Sequence, residues 1–263
     1  MGQSRFQSTI LGVAGTASFF LAWETLSRSG LVNPIMLPAP SVVLWSAWDL
    51  LKSGELVRHL TASLWRAALG FASGALLGIV LGIAMASAAR LDSLMNPLVQ
   101  MFRAIPSLAF VPIAIFWFGI GETSKIFLVA WGVFFPVWMN TYLGIRGTNP
   151  LLSRAGRSLG ANGWRLLVFV VCPAALPFII AGLRVSISIA LVVLVAAELA
   201  GAAFGVGYLI QMSQAVFRVD QMFVGLLLLG IMGFLADQLF DRTVRALLPW
   251  YGAEQGDKPG RSS

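Results

Sequence analysis

Six apolar runs dominate this sequence, each close to the roughly 20 residues a helix needs to cross a bilayer core. They cover about residues 8–26, 64–88, 96–118, 125–145, 174–199 and 222–239. Backbone polar groups have no water to bond in lipid, so spans of this length must be helices. Only 11% of the 263 residues are charged and 58% are hydrophobic, whereas soluble domains carry about a quarter charged. The chain therefore reads as an all-α polytopic membrane protein with six transmembrane helices. The first run is longer than the ~7 to 15 residues of a secretory leader's apolar region, and Glu24 follows it, so it is kept as a span.

Several chemistries are excluded at once. A single cysteine, Cys172, and a single histidine, His59, rule out an internal disulfide, a Cys-based metal site and a His-centred catalytic cluster. No Gly-x-x-x-x-Gly-Lys-Ser/Thr sequence is present, so if ATP powers this protein, another chain binds the nucleotide. The excess of 18 Lys and Arg over 11 Asp and Glu fits loop charges that orient a membrane protein, and no basic run with interleaved aromatics suggests nucleic acid. With both termini in the cytoplasm, inner segments hold Arg5, Arg90, Arg146, Arg154, Arg157, Arg165, Arg242, Arg245, Lys258 and Arg261. Outer ones hold Arg28, Lys52, Arg58, Arg66, Lys125 and Arg218. Ten against six favours the termini inside.

Between the spans, Pro34, Pro38 and Pro40 forbid a continuous helix, and Ser41 can cap an interfacial helix presenting Leu44, Trp48 and Leu51. His59 reads as an interfacial or satisfied polar residue, with a ligand role as the other reading. Gly70, Gly74, Gly78 and Gly82 recur every fourth residue and let another backbone approach closely, within this chain or from a second subunit. Asn96-Pro97 opens the third span, which contains Arg103, Pro106 and Pro112. Arg103 can snorkel to the cytoplasmic surface or attract an anion in a pathway. In the fifth span, Arg184 can influence an anion or pair structurally with a carboxylate. Glu198 near its outer end can serve a gate, a binding-protein contact, a cap or an ion pair, and Asp237 reads as structural.

The polar island at 149–177 is punctuated on both sides. Asn149 can cap a helix starting at Pro150, Gly160 can close it in the left-handed conformation, and a second short helix can run from Asn162 toward Pro173. Arg154-Ala155-Gly156, then Gly160, then Val170 and Cys172-Pro173 resembles the cytoplasmic "EAA" loop of ABC importer permeases. Arg154 stands where that pattern has Glu, Gly156 where it has Ala, and Cys172 where it has Leu. The resemblance extends from about Leu37 to Trp250 through LPAPS (37–41), SGEL…HL…SLWRA…GF (53–71), IPSLAFVPIAIFWFGIGETSKIFLV (105–129), FFP…NTYLGIR (134–146), ALP…GLR (175–184) and AAELAG…GVGYLI (196–210). These blocks look like permeases of the nitrate, taurine and aliphatic-sulfonate importers. QMFRAIPSLA and KIFLVAWG are most similar to the aliphatic-sulfonate member.

The resemblance implies a type I ABC importer transmembrane domain in the bacterial inner membrane, carrying aliphatic sulfonates, or taurine, nitrate or bicarbonate. It implies a non-catalytic homodimer with two ABC ATPase subunits, which hold ATP and Mg, and a periplasmic or lipid-anchored substrate-binding protein. Residues 1–60 would form a peripheral span and interfacial segment, 61–250 the five-helix core, about 147–173 the cytoplasmic coupling loop, and 251–263 a flexible tail. Coupling falls to Arg154, Ala155, Gly156, Arg157, Ser158, Leu159, Gly160 and Ala161, with Ala155 and Gly156 permitting close approach of the ATPase. An ion-gradient transporter is the rival class. It would place a carboxylate at mid-membrane, whereas Glu198 and Asp237 lie near span ends.

Overall fold

A computed structural model describes residues 2–248 and 250, which form helices and turns with no strand among them. The tail expected at 251–263 lies outside the described residues. In chain order the α-helices are α1 (Gly2–Arg28), α2 (Pro40–Lys52), α3 (Glu55–Ser87), α4 (Ala89–Arg103), α5 (Val111–Phe118), α6 (Glu122–Arg146), α7 (Pro150–Ser158), α8 (Trp164–Leu166), α9 (Cys172–Leu199), α10 (Val206–Ala215) and α11 (Val219–Leu247).

Helices α3, α6 and α9 make the centre. Each glycine of the four-residue stripe on α3 faces α6. An added Cβ on Gly70 would fall 2.5 Å from Val129 Cβ, one on Gly78 2.8 Å from the Phe134 carbonyl oxygen, and one on Gly82 2.8 Å from Thr141 Cβ. At Gly74 it would strike the Ala130 backbone itself. Numbers rise together along both helices, so α3 and α6 run parallel, joined by the return through α4 and α5. Helix α9 runs antiparallel to α6, with Gly132 against Val193, Gly182 against Asn140 and Gly144 against Phe178. In lipid no hydrophobic effect draws helices together, so this contact must come from close packing, which small residues permit. Ala75, Val129, Val133, Val137, Ala190 and Leu194 fill the shared core.

The third expected span is not one helix. Among the described residues four helices are long and apolar enough to cross a membrane, and a fifth span is reached only by counting the bent pair Ala89–Arg103 and Ser107–Phe118 as one. Helix α1, where the first of six spans is expected, is not among these, so the count among the described residues is four or five and not six. The pair bends by 88° because Pro106 disfavours helical geometry in the residue before it, and a single 3₁₀ segment, Ser107–Phe110, restarts the chain. Asn96-Pro97 does not open this helix. α4 starts at Ala89 and carries Pro97 in its interior.

Two other boundaries differ from expectation. Helix α2 begins at Pro40 with no side-chain cap, since the Ser41 hydroxyl bonds Glu24 and Arg28 of α1 instead. Its Leu44, Trp48 and Leu51 remain exposed, while Val43, Ser46 and Leu50 are buried, leaving an apolar outer face suited to lipid. The glycine-bearing excursion after Leu199 holds α10, and the last span starts at Val219.

Candidate coupling loop and membrane cleft

At the end of α6 the chain turns into α7 with both termini of that helix satisfied. Asn149 Oδ1 accepts from the Leu151 amide at 2.9 Å, and Pro150 occupies the first position, where a missing N–H costs nothing. At the other end Gly160 has φ +87°. The Ala161 N–H donates to the Gly156 carbonyl at 2.9 Å, and the Gly160 N–H to that of Arg157 at 3.0 Å. This is a Schellman closure, which needs a residue free to enter the left-handed region.

Gly156 is the buried residue of α7. A Cβ there would lie 2.9 Å from Leu166 and 3.0 Å from Val170, so its close approach serves the chain's own next helix and not a partner. Arg154, Ala155, Arg157, Ser158 and Gly160 are exposed, Ala161 is half-buried, and Leu159 is 88% exposed. Leu151 and Trp164 are exposed beside them. The result is a rigid knob with an apolar and basic outer face. The second helix of the island does not stop at Pro173. Trp164 to Leu199 is one continuous 36-residue span with a π-turn at Leu167–Val171, a wider turn that lets the helix pass a proline lacking an N–H. Leu166 and Val170, against which Gly156 of α7 packs, thus lie on the same continuous span as α9.

Arg103 lies at the 88° bend, at the mouth of a cleft of about 390 Å³ lined with it by Ser107, Gly132, Phe135, Met139, Asn140 and Ile189, among others. Along α6, Gly132 lies ten residues, about 15 Å, from Glu122, and Asn140 six residues, about 9 Å, from Arg146, at ~1.5 Å per residue. Arg103 is itself exposed and lines this cleft.

Arg184 goes elsewhere. Its guanidinium pairs with Asp237 at 3.1 Å and Asp241 at 3.2 Å, clamping α9 to α11 away from the cleft. The structural pairing of Arg184 and Asp237 is what the fold displays, and Arg184 is not a cleft residue.

Glu198 is fully buried and organises the other end of the bundle. It accepts from Ser63 Oγ at 2.8 Å, from Arg66 Nη1 at 2.8 Å and from the Gly207 N–H at 2.8 Å. Arg66 grips Glu122 through Nε and Nη2 and donates to the Phe204 carbonyl. Ser63 accepts from the Val206 N–H at 2.8 Å, and His59 Nδ1 from that of Gly205 at 3.1 Å. Gly205, at φ +140°, leaves no room for a Cβ beside the Glu198 carboxylate. Thus α3, α6, α9 and the start of α10 are joined by one network, buried at Ser63, Arg66 and Glu198 and open to the surface at Glu122. His59 is a satisfied polar residue within it. Sequence reading missed Ser63, Arg66 and Glu122 as its members. The signal at Ser63 and Arg66 was polarity inside the otherwise apolar α3, a marker of groups that need partners in a membrane, whereas Glu122 opens α6 at its exposed end.

A core of apolar helices in glycine-mediated contact, a cleft bearing a cation, and a double-capped knob at one end are the features of a polytopic membrane protein. The chain belongs to the family described as "Binding-protein-dependent transport system inner membrane component", whose model matches residues 74–251. It is thus a multi-pass ABC transporter permease of the inner membrane. It is 38% identical to the putative aliphatic sulfonates transport permease protein SsuC of Bacillus subtilis (strain 168), over 93% of this chain and 89% of that protein. It is 34% identical to the taurine transport system permease protein TauC of Escherichia coli (strain K12), over 93% and 91%. The fold resembles that of the MetNI methionine ABC transporter in an inward-facing conformation, with TM-score 0.61 and 22% identity over 73% of this chain and 95% of that one.

Proposed function

We propose that this chain is the membrane permease of an ABC importer for aliphatic sulfonates, with α7 as the mechanical input from a separate ATPase. The observation that carries the reading is the knob: a helix fixed at both caps, seated on its own span through Gly156, with Leu159, Arg154 and Arg157 turned outward. A surface of that kind suits a groove on a partner, with arginines positioned for acidic groups. The ATP and Mg belong to two ATPase subunits. Two copies of this chain form the pathway and an extracytoplasmic binding protein delivers the substrate. Both termini lie in the cytoplasm, residues 1–60 stay peripheral, and 61–250 form the core. Taurine is the second substrate reading, supported by the likeness to the taurine permease.

Reconstitution tests this. Proteoliposomes holding the permease, its ATPase and its binding protein are expected to take up alkanesulfonate only with ATP, and loaded binding protein is expected to stimulate hydrolysis. Uptake driven by an ion gradient with this chain alone would reject the reading, and stimulation by taurine alone would exchange the substrate.

Gly160 offers a sharper test of coupling. No heavy atom lies within 4 Å of a Cβ placed there, so a substitution meets no clash. Its cost is the left-handed backbone, about 1–2 kcal/mol for an L-residue. Gly160→Val should unwind the closure and lower uptake about tenfold while hydrolysis continues, and Gly160→Asn should do much less. Uptake and hydrolysis both at wild-type rates in Gly160→Val would sink the coupling role.

A further inference from the structure

We propose that Arg103, Ser107 and Asn140 form a transient recognition site for a small monoanion inside the membrane cleft, its oxygens on the polar groups and its short apolar tail on Phe135, Met139 and Ile189. The inference rests on the permease reading above and adds to it the place and chemistry of substrate contact.

Three observations converge. Arg103 is exposed to the cleft and has no hydrogen bond or ion pair among the described residues, whereas Arg66 pairs with Glu122 and Glu198 and Arg184 with Asp237 and Asp241. A cation among membrane-spanning helices without a carboxylate is costly unless the space beside it holds water or an anion. Next, the bend that brings Arg103 there also brings Ser107 to the same cleft, and Asn140 faces both from α6. Asn140 gives one amide hydrogen to the Pro136 carbonyl at 2.9 Å, which fixes the side chain and leaves its other hydrogen for a ligand. Finally, about 390 Å³ is enough for a small organic anion, and the lining besides Arg103, Ser107 and Asn140 is apolar.

The chemistry narrows the ligand. A guanidinium fork matches two oxygens of a sulfonate-type head. No acidic residue lines the cleft, so the ammonium of a zwitterion finds no counter-charge, and a plain alkanesulfonate fits better than taurine. One cation and two neutral donors make a shallow site. Conduction needs that, because a substrate held tightly cannot leave.

The test uses the whole complex with its binding protein in proteoliposomes, with Cys172→Ser as the parent. Adding Arg103→Cys should lower ATP-dependent uptake of propanesulfonate at least tenfold. Aminoethyl methanethiosulfonate, which places a cation on the new thiol, should restore uptake several-fold, whereas the sulfonatoethyl reagent should not. Equal response to both reagents, or undiminished uptake before treatment, would overturn the site. Should that variant fail to assemble, Arg103→Lys and Arg103→Gln replace it: transport retained by lysine and lost with glutamine supports the site, and equal transport overturns it. A parent complex that takes up no anion with ATP would instead refute the permease reading, so the two failures are distinguishable.

Discussion

Replacing Glu198 by alanine is expected to destabilise the protein by about 3–5 kcal/mol, the range for removing one partner of a buried ion pair. The carboxylate is fully buried and accepts from Ser63, Arg66 and the Gly207 N–H. Its loss leaves one arm of a buried guanidinium with only the Phe204 carbonyl, and it strips a backbone donor at the start of α10 of its acceptor. Glu122 cannot take over, because it already holds the other two nitrogens of Arg66. The thermal midpoint of the detergent-solubilised protein should drop by on the order of 10 °C. Glu198→Gln should cost less, since an amide can still accept from Gly207 while losing the charge. Equal midpoints for Glu198→Ala and the wild type would show that the network is dispensable.

That network marks where legibility in the sequence ended. Both caps of α7 could be read from Asn149, Pro150 and Gly160 because capping is settled within a few residues of backbone. The pairing of Arg66 with Glu198 spans 132 positions, and no local rule chooses a partner at that distance. In the sequence Arg66 counts only as one more charge near a span end, which does not say what it touches. For Arg184 the sequence allows an anion contact or a carboxylate pair, and the fold holds the pair. Its depth in the fifth span was legible, but the direction of its side chain depends on the rotation of α9 against α11, and Asp237 and Asp241 decide that.

Proline gave a mixed result for a physical reason. Pro136 sits inside α6 and Pro97 inside α4, while Pro106 stands at an 88° bend. A proline removes one donor and crowds the preceding residue wherever it falls. Whether the helix continues depends on what packing holds the two halves in line. α6 is wedged between α3 and α9 along its length, so it passes its proline. The chain around Pro106 has α6 on one side and the cleft on the other, so nothing straightens it. The same opening that permits the bend leaves Arg103 in the cleft, and the consequence of Pro106 reaches function through that geometry.

The contact between α3 and α6 should tolerate almost nothing at Gly74. A Cβ there meets the Ala130 backbone, not a side chain that could rotate away. Gly74→Ala must push two parallel helices apart, at or beyond the top of the roughly 1–3 kcal/mol usual for overpacking. It would also open the core made by Ala75, Val129, Val133 and Val137. We expect little folded protein in the membrane and loss of transport. The stripe supplies its own control. Ala130→Gly should not rescue Gly74→Ala, because the obstructing atoms remain. At Gly70 the obstruction is mainly the Val129 side chain, with the Ile126 carbonyl 3.0 Å away, so Val129→Gly should partly rescue Gly70→Ala. Rescue at both positions or at neither, read as the yield of monodisperse protein after extraction, would contradict the backbone contact. Rescue at Gly70 alone would show that backbone and side chain limit approach at successive turns of one glycine stripe.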